Sequence, residues 1–553
     1  MTRMTDQTIQ QDRASMRTVI AASSAGTAFE WYDFFIFGSL AQVISKTFFT
    51  GLPDAAGYIA ALALFGVGFA FRPLGALVFG KIGDQAGRKG AFLATVLLMG
   101  GATFAIALLP TYKQAGIISP ILLIILRCVQ GFALGGEYGG AAIYVAEHSP
   151  AGKRGWSTSW VQTSAAFGLF GALLVIMATR AAIGLEAFDA WGWRIPFAVS
   201  IGLLGVSVWM RLKLSESPAF AKMKEEGETS KAPYAEAFGQ WKNMKLVILA
   251  FLSMMCAQGA VWYTSFFYIQ TFMEKFLKVD PLTINALMMS ATAVSAIFYV
   301  VFGWLSDKVG RKPVMLAGMT LALAFYFPGF HLLERAANPA LAEASAKSPV
   351  VVLADPADCA LQFDPVGKAA FVSSCDIVKS ALANAGVSYT NQKAPAGTPA
   401  VMKVGDAVVA SPSAKGLSKA ETKAVKTATE AKIKAALTKA GYPAKADPAR
   451  MNKLGMFGVL FVFVIGATAL FGPLAACLVE LFPTRVRYTA LSLPYHIGTG
   501  WVGGFVPFFA FAIVTAVGNI YAGLWYPVVF TLISVLTTLF LLPETKGRPL
   551  DQA

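Results

Sequence analysis

Long apolar runs alternate with short polar connections along most of this chain. Twelve runs reach the roughly 20 residues that a helix needs to cross about 30 Å of hydrocarbon. They fall near 19–46, 56–80, 90–110, 117–146, 156–180, 192–212, 244–274, 284–304, 313–332, 453–478, 489–515 and 520–542. One stretch, about 334–451, holds no such run and is rich in Ala, Lys, Pro and Ser. Inside it, 350–353 reads as a strand, 376–385 as a helix, 400–410 as a hairpin and 418–440 as an amphipathic helix. The pattern predicts an all-α membrane protein of twelve transmembrane helices, with a small α/β insertion between the ninth and the tenth.

Composition supports a bilayer as the solvent. Of 553 residues, 56% are hydrophobic and 14% charged, against about 25% charged in soluble domains. Gly is abundant, at 51 residues, as close helix packing in lipid favours. The net charge of +15 raises nucleic acid as a partner, but its placement excludes that class. Lys81, Arg88 and Lys89, then Lys153 and Arg154, the 211–245 stretch, Lys308, Arg311 and Lys312, and finally Arg485 and Arg487 occupy every second connection. That is the positive-inside distribution. It puts both termini in the cytoplasm and the 334–451 insertion in the periplasm. The first run follows a polar start and is too long for a signal peptide.

The chain is also duplicated. Residues 80–89 and 303–312 both read G-x-x-x-D-x-x-G-R-K, after the second and eighth runs, at an offset of 303 − 80 = 223. Glu147, Pro150, Arg154 and Ser159 match Glu480, Pro483, Arg487 and Ser492 at an offset of 480 − 147 = 333. A weaker pair, Glu216-Ser217-Pro218 and Pro543-Glu544-Thr545, closes each half. The jump between the two offsets places the extra chain in 334–451. The expected organisation is a six-helix bundle over 1–213, a central cytoplasmic loop over 214–243, and a second bundle split into 244–333 and 452–553 by the insertion. Cys359 and Cys375 both lie in that insertion, and an even pair in an oxidising compartment predicts a disulfide. Cys128, Cys256 and Cys477 lie within runs and read as packing residues.

Ionisable side chains within a span cost about 2.5–3.5 kcal/mol each to insert and so default to function. Glu30 and Asp33 share a face of the first run at i, i+3. Arg72 lies on the second run, and Arg127 and Glu137 on the fourth. At about 1.5 Å per residue, Asp33 and Arg127 fall near mid-membrane, and Glu30, Arg72 and Glu137 somewhat nearer the cytoplasm. Three acids against two bases leaves one carboxylate without a counter-ion. Such a group can take up and release a proton near physiological pH, although a purely structural network joining these runs uses the same residues. Glu30, Asp33 and Glu137 are therefore candidates for proton coupling. Arg72 and Arg127 offer forked recognition of a carboxylate. Tyr32, Gln130 and Tyr138 are further candidate substrate contacts in the first half, as are Trp262, Tyr263, Tyr495 and His496 in the second, with Gln258 and Gln270 nearby.

The duplicated loops have a mechanical reading. Asp84 and Asp307 can pair with Arg88 and Arg311 and face the positive N-terminus of a helix from the other half. With Lys89, Lys312, Glu147, Glu480, Arg154 and Arg487 they form a candidate gate. At these residues the sequence resembles the major facilitator superfamily. The loop is similar to its signature motif, and Arg127 through Gly135 resembles its R-x-x-Q-G-x-x-x-G motif. Residues 29–33, Arg72-Pro73, 135–140 and 191–196 resemble the metabolite:proton symporter branch, which includes carriers for citrate, alpha-ketoglutarate, shikimate and proline/betaine. The resemblance covers all but 334–451. It implies two six-helix bundles, a midplane site, rocker-like alternating access and a bacterial inner membrane.

The expected function is proton-driven uptake of a small polar metabolite, a carboxylate for preference, by a monomer that needs no cofactor beyond protons and holds no metal. Alternatives are a proton-driven exporter or antiporter and a membrane solute sensor that uses the insertion. An enzyme is the weakest, for the sequence holds no phosphate-binding Gly loop, H-E-x-x-H, nucleophile elbow or metal-spaced Cys/His cluster.

Overall fold

The computed structural model describes residues 2–49, 54–213, 216–360 and 371–550. Parts of the expected central loop (214–215), the insertion (361–370) and the C-terminal tail (551–553) lie outside the described residues. The first half contains α1 (Thr2–Ser39), α2 (Asp54–Gln85), α3 (Arg88–Ala107), α4 (Ile118–His148), α5 (Arg154–Ile183) and α6 (Arg194–Leu212). The second half opens with α7 (Trp241–Lys275), α8 (Pro281–Val309) and α9 (Arg311–Ala337). Among the described residues, ten helices are long and apolar enough to cross a bilayer. Glu30, Asp33 and a run of small residues from Ala21 to Ala28 leave α1 more polar than those ten.

The duplicated loops take the same local shape. Gly87 and Gly310, at φ of +123° and +112°, each break one helix and start the next. Only a residue without a β-carbon adopts that backbone without strain, which is why the motif carries glycine at that place. Each following helix is capped from the far end of its own half. Glu216 accepts the N–H groups of Arg88 and Lys89, and Glu544 accepts those of Arg311 and Lys312. An acid at a helix N-terminus satisfies free donors and opposes the macrodipole.

The insertion is a compact α/β unit. Strands β1 (Val350–Ala354), β2 (Tyr389–Lys393), β3 (Val401–Val404) and β4 (Ala407–Ala410) form one sheet in the order β2-β1-β3-β4. β1 and β2 are parallel, with Val350 opposite Tyr389, and are joined through α10 (Ser374–Ala385). β3 runs antiparallel to β1 and pairs with β4 across a tight hairpin. Val350, Val352, Met402 and Val404 are buried on one face, together with Ile377, Val378 and Leu382 of α10 and Ile433 and Leu437 of α11 (Lys419–Lys439). A capping box between Ser418 and Glu421 starts α11. The strand at 389–393 escapes the alternation pattern, because Thr390, Asn391, Gln392 and Lys393 are exposed on the sheet edge. Cys359 and Cys375 form a disulfide that ties the segment after β1 to α10.

The chain returns through α12 (Lys453–Leu481), α13 (Arg487–Val514) and α14 (Ala522–Phe540). The α/β unit is anchored on the outer ends of the second half, opposite the duplicated loops. The Tyr389 N–H donates to the Gly518 carbonyl at 2.7 Å, Ala446 N–H to Lys278 at 3.1 Å and Asn452 N–H to Ala336 at 2.8 Å. The two halves meet along two related seams, α5 against α8 and α2 against α13. Both seams are glycine-lined at the loop end, where Gly303 packs on Ser159 and Gly80 on Thr489.

Removing the disulfide as Cys359→Ser/Cys375→Ser opens a loop with a sequence separation of 16 residues. Loop closure of that size stabilises by about 3 kcal/mol, so amide exchange in β1 and β3 is expected to accelerate by about 100-fold. Mass-spectrometric hydrogen exchange checks this, and unchanged protection contradicts it.

Candidate functional site

A cavity lies between the halves at mid-height. Thr27, Glu30 and Trp31 from α1, Arg72 from α2 and Tyr138 from α4 line one side. Gln258, Trp262 and Tyr263 from α7, Phe471 from α12 and Tyr495, His496 and Thr499 from α13 line the other. The lining of α7 and α13 is wound as π-helix over Gln258–Trp262, Thr264–Tyr268 and Ile497–Gly503. Such wide turns change which side chains face inward and recur at functional sites. The helices approach closely there: a β-carbon on Gly259 would lie 2.8 Å from the Gly503 nitrogen.

The wall is aromatic, with few polar groups. Tyr138 stacks on Tyr495 at 3.7 Å between centroids, and Trp31 meets Trp262 at 5.8 Å. The Trp262 indole donates to Tyr299 at 2.8 Å, and the Gln162 amide donates to the Tyr138 hydroxyl at 2.8 Å. The Arg72 guanidinium sits 4.5 Å from the Phe69 ring centroid. Among the described residues, Glu30 Oε2, Arg72 Nε, Gln258 Oε1 and both ring nitrogens of His496 are buried without a hydrogen-bond partner. Buried polar atoms are ordinarily paired, so this cluster is poised for a polar guest.

A second cavity lies wholly within the first half, among α1, α3, α4 and α6. Glu30, Asp33 and Glu137 line it, with Ser200 and Ser207. Glu30 is common to both cavities. The count of three carboxylates against two arginines omitted a third arginine, which meets Glu137. Its carboxylate is paired with Arg211, and Thr95 Oγ donates to it at 2.8 Å. Arg211, 1% exposed, also donates to the Phe92 carbonyl and lies over that ring at 3.6 Å. It fits because α1 carries Gly26 at that level; an added β-carbon would lie 2.9 Å from the guanidinium carbon. Three acids therefore face three arginines. Glu30, Asp33 and Arg72 form no ion pair within 4 Å among the described residues.

The structure brings Arg72, Tyr138, Trp262, Tyr263, Tyr495 and His496 together on the central cavity and leaves three other candidates off it. The Tyr32 hydroxyl donates to the Pro196 carbonyl inside the first half. Arg127 donates to Gln130, which donates to Thr103, and its guanidinium lies 4.0 Å from the Phe37 centroid. These three buttress the helices behind the cavity. The sequence places them on the correct helices, but rotation about the helix axis turns them away from the centre. Gln270, half-buried further along α7, is likewise not part of the lining.

Below the central cavity, the duplicated loops build two related charge clusters. Asp84 pairs with Arg88 at 2.5 Å and accepts the N–H groups of Tyr488 and Thr489, the first turn of α13. Asp307 pairs with Arg311 at 2.6 Å and accepts those of Gly155 and Trp156, the first turn of α5. Glu147 takes Arg487 from the opposite half at 2.8 Å, and Glu480 takes Arg154 at 3.6 Å. Ser217 and Thr545 complete Glu147 and Glu480 in the same manner. Lys89 and Lys312 stay within their own halves, donating to the Leu212 and Leu539 carbonyls. They brace the clusters and do not bridge the halves.

Two pseudo-symmetric helical halves, an aromatic-walled cavity between them and charge clusters at one end are the architecture of a membrane transporter. Comparison with known proteins agrees. A model described as sugar (and other) transporter matches residues 18–237 and 432–553, and one described as MFS/sugar transport protein matches 140–353. The proline/betaine transporter of Salmonella typhimurium is 35% identical over 58% of this chain, and the match spans 66% of that protein, just under two thirds. The shikimate transporter of Escherichia coli is 35% identical over 60% of this chain and 76% of its own length. The citrate-proton symporter of Klebsiella pneumoniae is 33% identical over 57% and 69%. The solved proton:xylose symporter XylE superposes with a TM-score of 0.65 at 15% identity, covering 98% of each chain, which shows a common fold. The chain belongs to the major facilitator superfamily.

Asp84→Asn or Asp307→Asn unbalances a buried pair, a change worth about 3–5 kcal/mol when one partner is lost entirely. Ser159 is buried on the α5–α8 seam. A Ser159→Cys reporter is expected to react with maleimide about tenfold faster or more in either background, as the population moves toward the open end. An unchanged rate would remove these aspartates from the closed state.

Proposed function

We propose that this protein carries a small organic carboxylate into the cell by proton symport, with protons as the sole coupling species. Supporting this reading is the shared position of Glu30, whose side chain lines both the central cavity and the acid cavity of the first half. Twelve spans, a cytoplasmic face at the duplicated loops, a periplasmic α/β unit, a monomer and a bacterial inner membrane complete the proposal. The alternating charge of the connections supports the orientation, and the transport activities named for the bacterial relatives support the solute class.

The cycle follows from the partners that are missing. With the cytoplasmic end closed, Glu30 takes a proton and becomes neutral. Arg72 is then the cation facing the cavity, and a carboxylate entering from the periplasm supplies its counter-charge and fills vacant bonds near Gln258 and His496. The aromatic wall covers the apolar part of the solute. Loaded with both, the site carries no excess charge, and the halves can part at the clusters below. Without the proton, solute and Glu30 place two carboxylates beside one guanidinium, and like charges so close in a dry cavity oppose binding.

Reconstituted vesicles test this with an imposed inward proton gradient and a panel of radiolabelled carboxylates and betaines. Arg72→Ala is expected to lower uptake at limiting solute by about 10- to 100-fold, the worth of a charge-assisted hydrogen bond. Glu30→Gln is expected to exchange solute across the membrane while losing accumulation driven by the gradient. Accumulation that survives in Glu30→Gln, or that persists in the unaltered protein after the gradient is collapsed, would refute the proposal. Solute-driven proton efflux in the unaltered protein would replace symport by antiport.

A further inference from the structure

Tyr488, the second residue of α13, is fully buried and reaches out of its own half into the other. Its hydroxyl donates to the Gly136 carbonyl at 2.5 Å. Its ring lies on the glycines that flank Glu137. A β-carbon added at Gly139 would lie 3.0 Å from ring atom Cε2, and one added at Gly140 2.6 Å from the hydroxyl. Tyr488 thus covers the turn of α4 that carries Glu137. Around Glu137 stand Thr95 on α3, Arg211 on α6 and, across the acid cavity, Glu30 and Asp33 on α1, with the Asp84–Arg88 pair behind the tyrosine.

The duplicated half has no equivalent of this contact. At the offset of 487 − 154 = 333, the counterpart of Tyr488 is Gly155, and the counterpart of Glu137 is Leu470. Both carboxylates of the motif hold the start of a helix from the other half. Only the helix that meets the acid-bearing half presents a tyrosine there. The carboxylate that fixes Tyr488 by its backbone N–H, at 3.1 Å, is the gating residue Asp84.

We propose that Tyr488 is a proton seal. While the cytoplasmic end is closed, its ring separates Glu137 from the cytoplasm, and parting of the halves withdraws it. The acid cavity holds three carboxyl side chains and two serines, polar enough to admit water. The Glu30 carboxylic acid gives its proton to water there as the Glu137 carboxylate takes one from the same water. Glu137 then gives its proton to cytoplasmic water and returns to the carboxylate paired with Arg211. One proton has moved from Glu30 to the cytoplasm, and the step completes only when the end through which solute leaves is open. The inference rests on the proton-coupled reading above.

The test is resting proton flux, without solute, into vesicles loaded with a pH-sensitive dye and reconstituted at equal protein content. Tyr488→Ala is expected to raise that flux by about fivefold or more, since a site that no longer excludes water leaks protons. Tyr488→Phe keeps the ring and is expected to stay within about twofold of the unaltered protein, the ring being what excludes water. Combining Tyr488→Ala with Glu137→Gln is expected to return the flux to the unaltered level. Asp84→Asn, which turns one of the two oxygens that accept the first N–H groups of α13 into a donor, provides a second route to the same leak and should be silenced by the same Glu137→Gln. Vesicles of Tyr488→Ala and Asp84→Asn as tight as the unaltered protein, or a leak that persists with Glu137→Gln, would overturn the inference. An unaltered protein that shows no gradient-driven accumulation removes the proton-coupled reading; one that accumulates solute while the tyrosine variants stay tight removes the seal alone.

Discussion

Each duplicated loop carries an aspartate whose two oxygens accept the opening N–H groups of a helix in the opposite half. The rest of the molecule is arranged around that contact. A helix start carries free donors and a partial positive charge, so a carboxylate placed there is satisfied without a bulky partner. Asp84 and Asp307 are buried, and each is also matched by an arginine four residues on. Outside this arrangement the buried charge would be unpaired and costly. The contact is therefore close to all-or-none: either the helix start is seated on the carboxylate, or the whole cluster must meet water. Two such contacts, crossed between the halves, make a closed end that a modest change elsewhere can bias.

In the proposed cycle, what biases it is charge at mid-height. The central cavity presents one guanidinium and one carboxylate with incomplete hydrogen bonding, set among aromatic rings. Glu30 is the only one of the three acids to face this space, and through its second wall it shares an enclosed volume with Asp33 and Glu137. Arg211 takes Glu137 out of contention as a free acid in the closed state. The coupling problem therefore narrows to whether Glu30 is protonated and whether Arg72 has an anion. The α/β unit stands apart from this chemistry. It binds the outer ends of α7 and α9 and the α13–α14 connection by backbone hydrogen bonds, so it reinforces the second half at the end opposite the clusters.

Much of this was legible in the residues. The motif aspartates and arginines could be read because their charge, glycine and spacing recur twice, and the insertion because one offset exceeds the other. Cys359 and Cys375 stood out as a pair within one polar segment. Arg211 was misread for a physical reason: it lies at the last turn of an apolar run beside Lys213, where a charge ordinarily signals topology. The notch at Gly26 and the Glu137 carboxylate together draw it inward. Tyr488 was silent because its role comes from glycines on a helix more than three hundred residues earlier. Tyr32, Gln130 and Arg127 show the opposite failure. Depth along a helix can be counted from sequence, but which way a side chain faces in an apolar bundle leaves little amphipathic trace, since both sides are greasy.

In the proposed cycle the crossed aspartate contacts at the loop end yield only when Glu30 is protonated and Arg72 holds an anion. Spin labels at Gly152 and Lys308, both exposed beside the α5–α8 seam, report the separation of the halves directly. Double electron–electron resonance in lipid should show one short distance at neutral pH, at low pH alone and with solute alone, and a longer one only at low pH with solute. Opening of that end by solute in the absence of protonation would contradict the account.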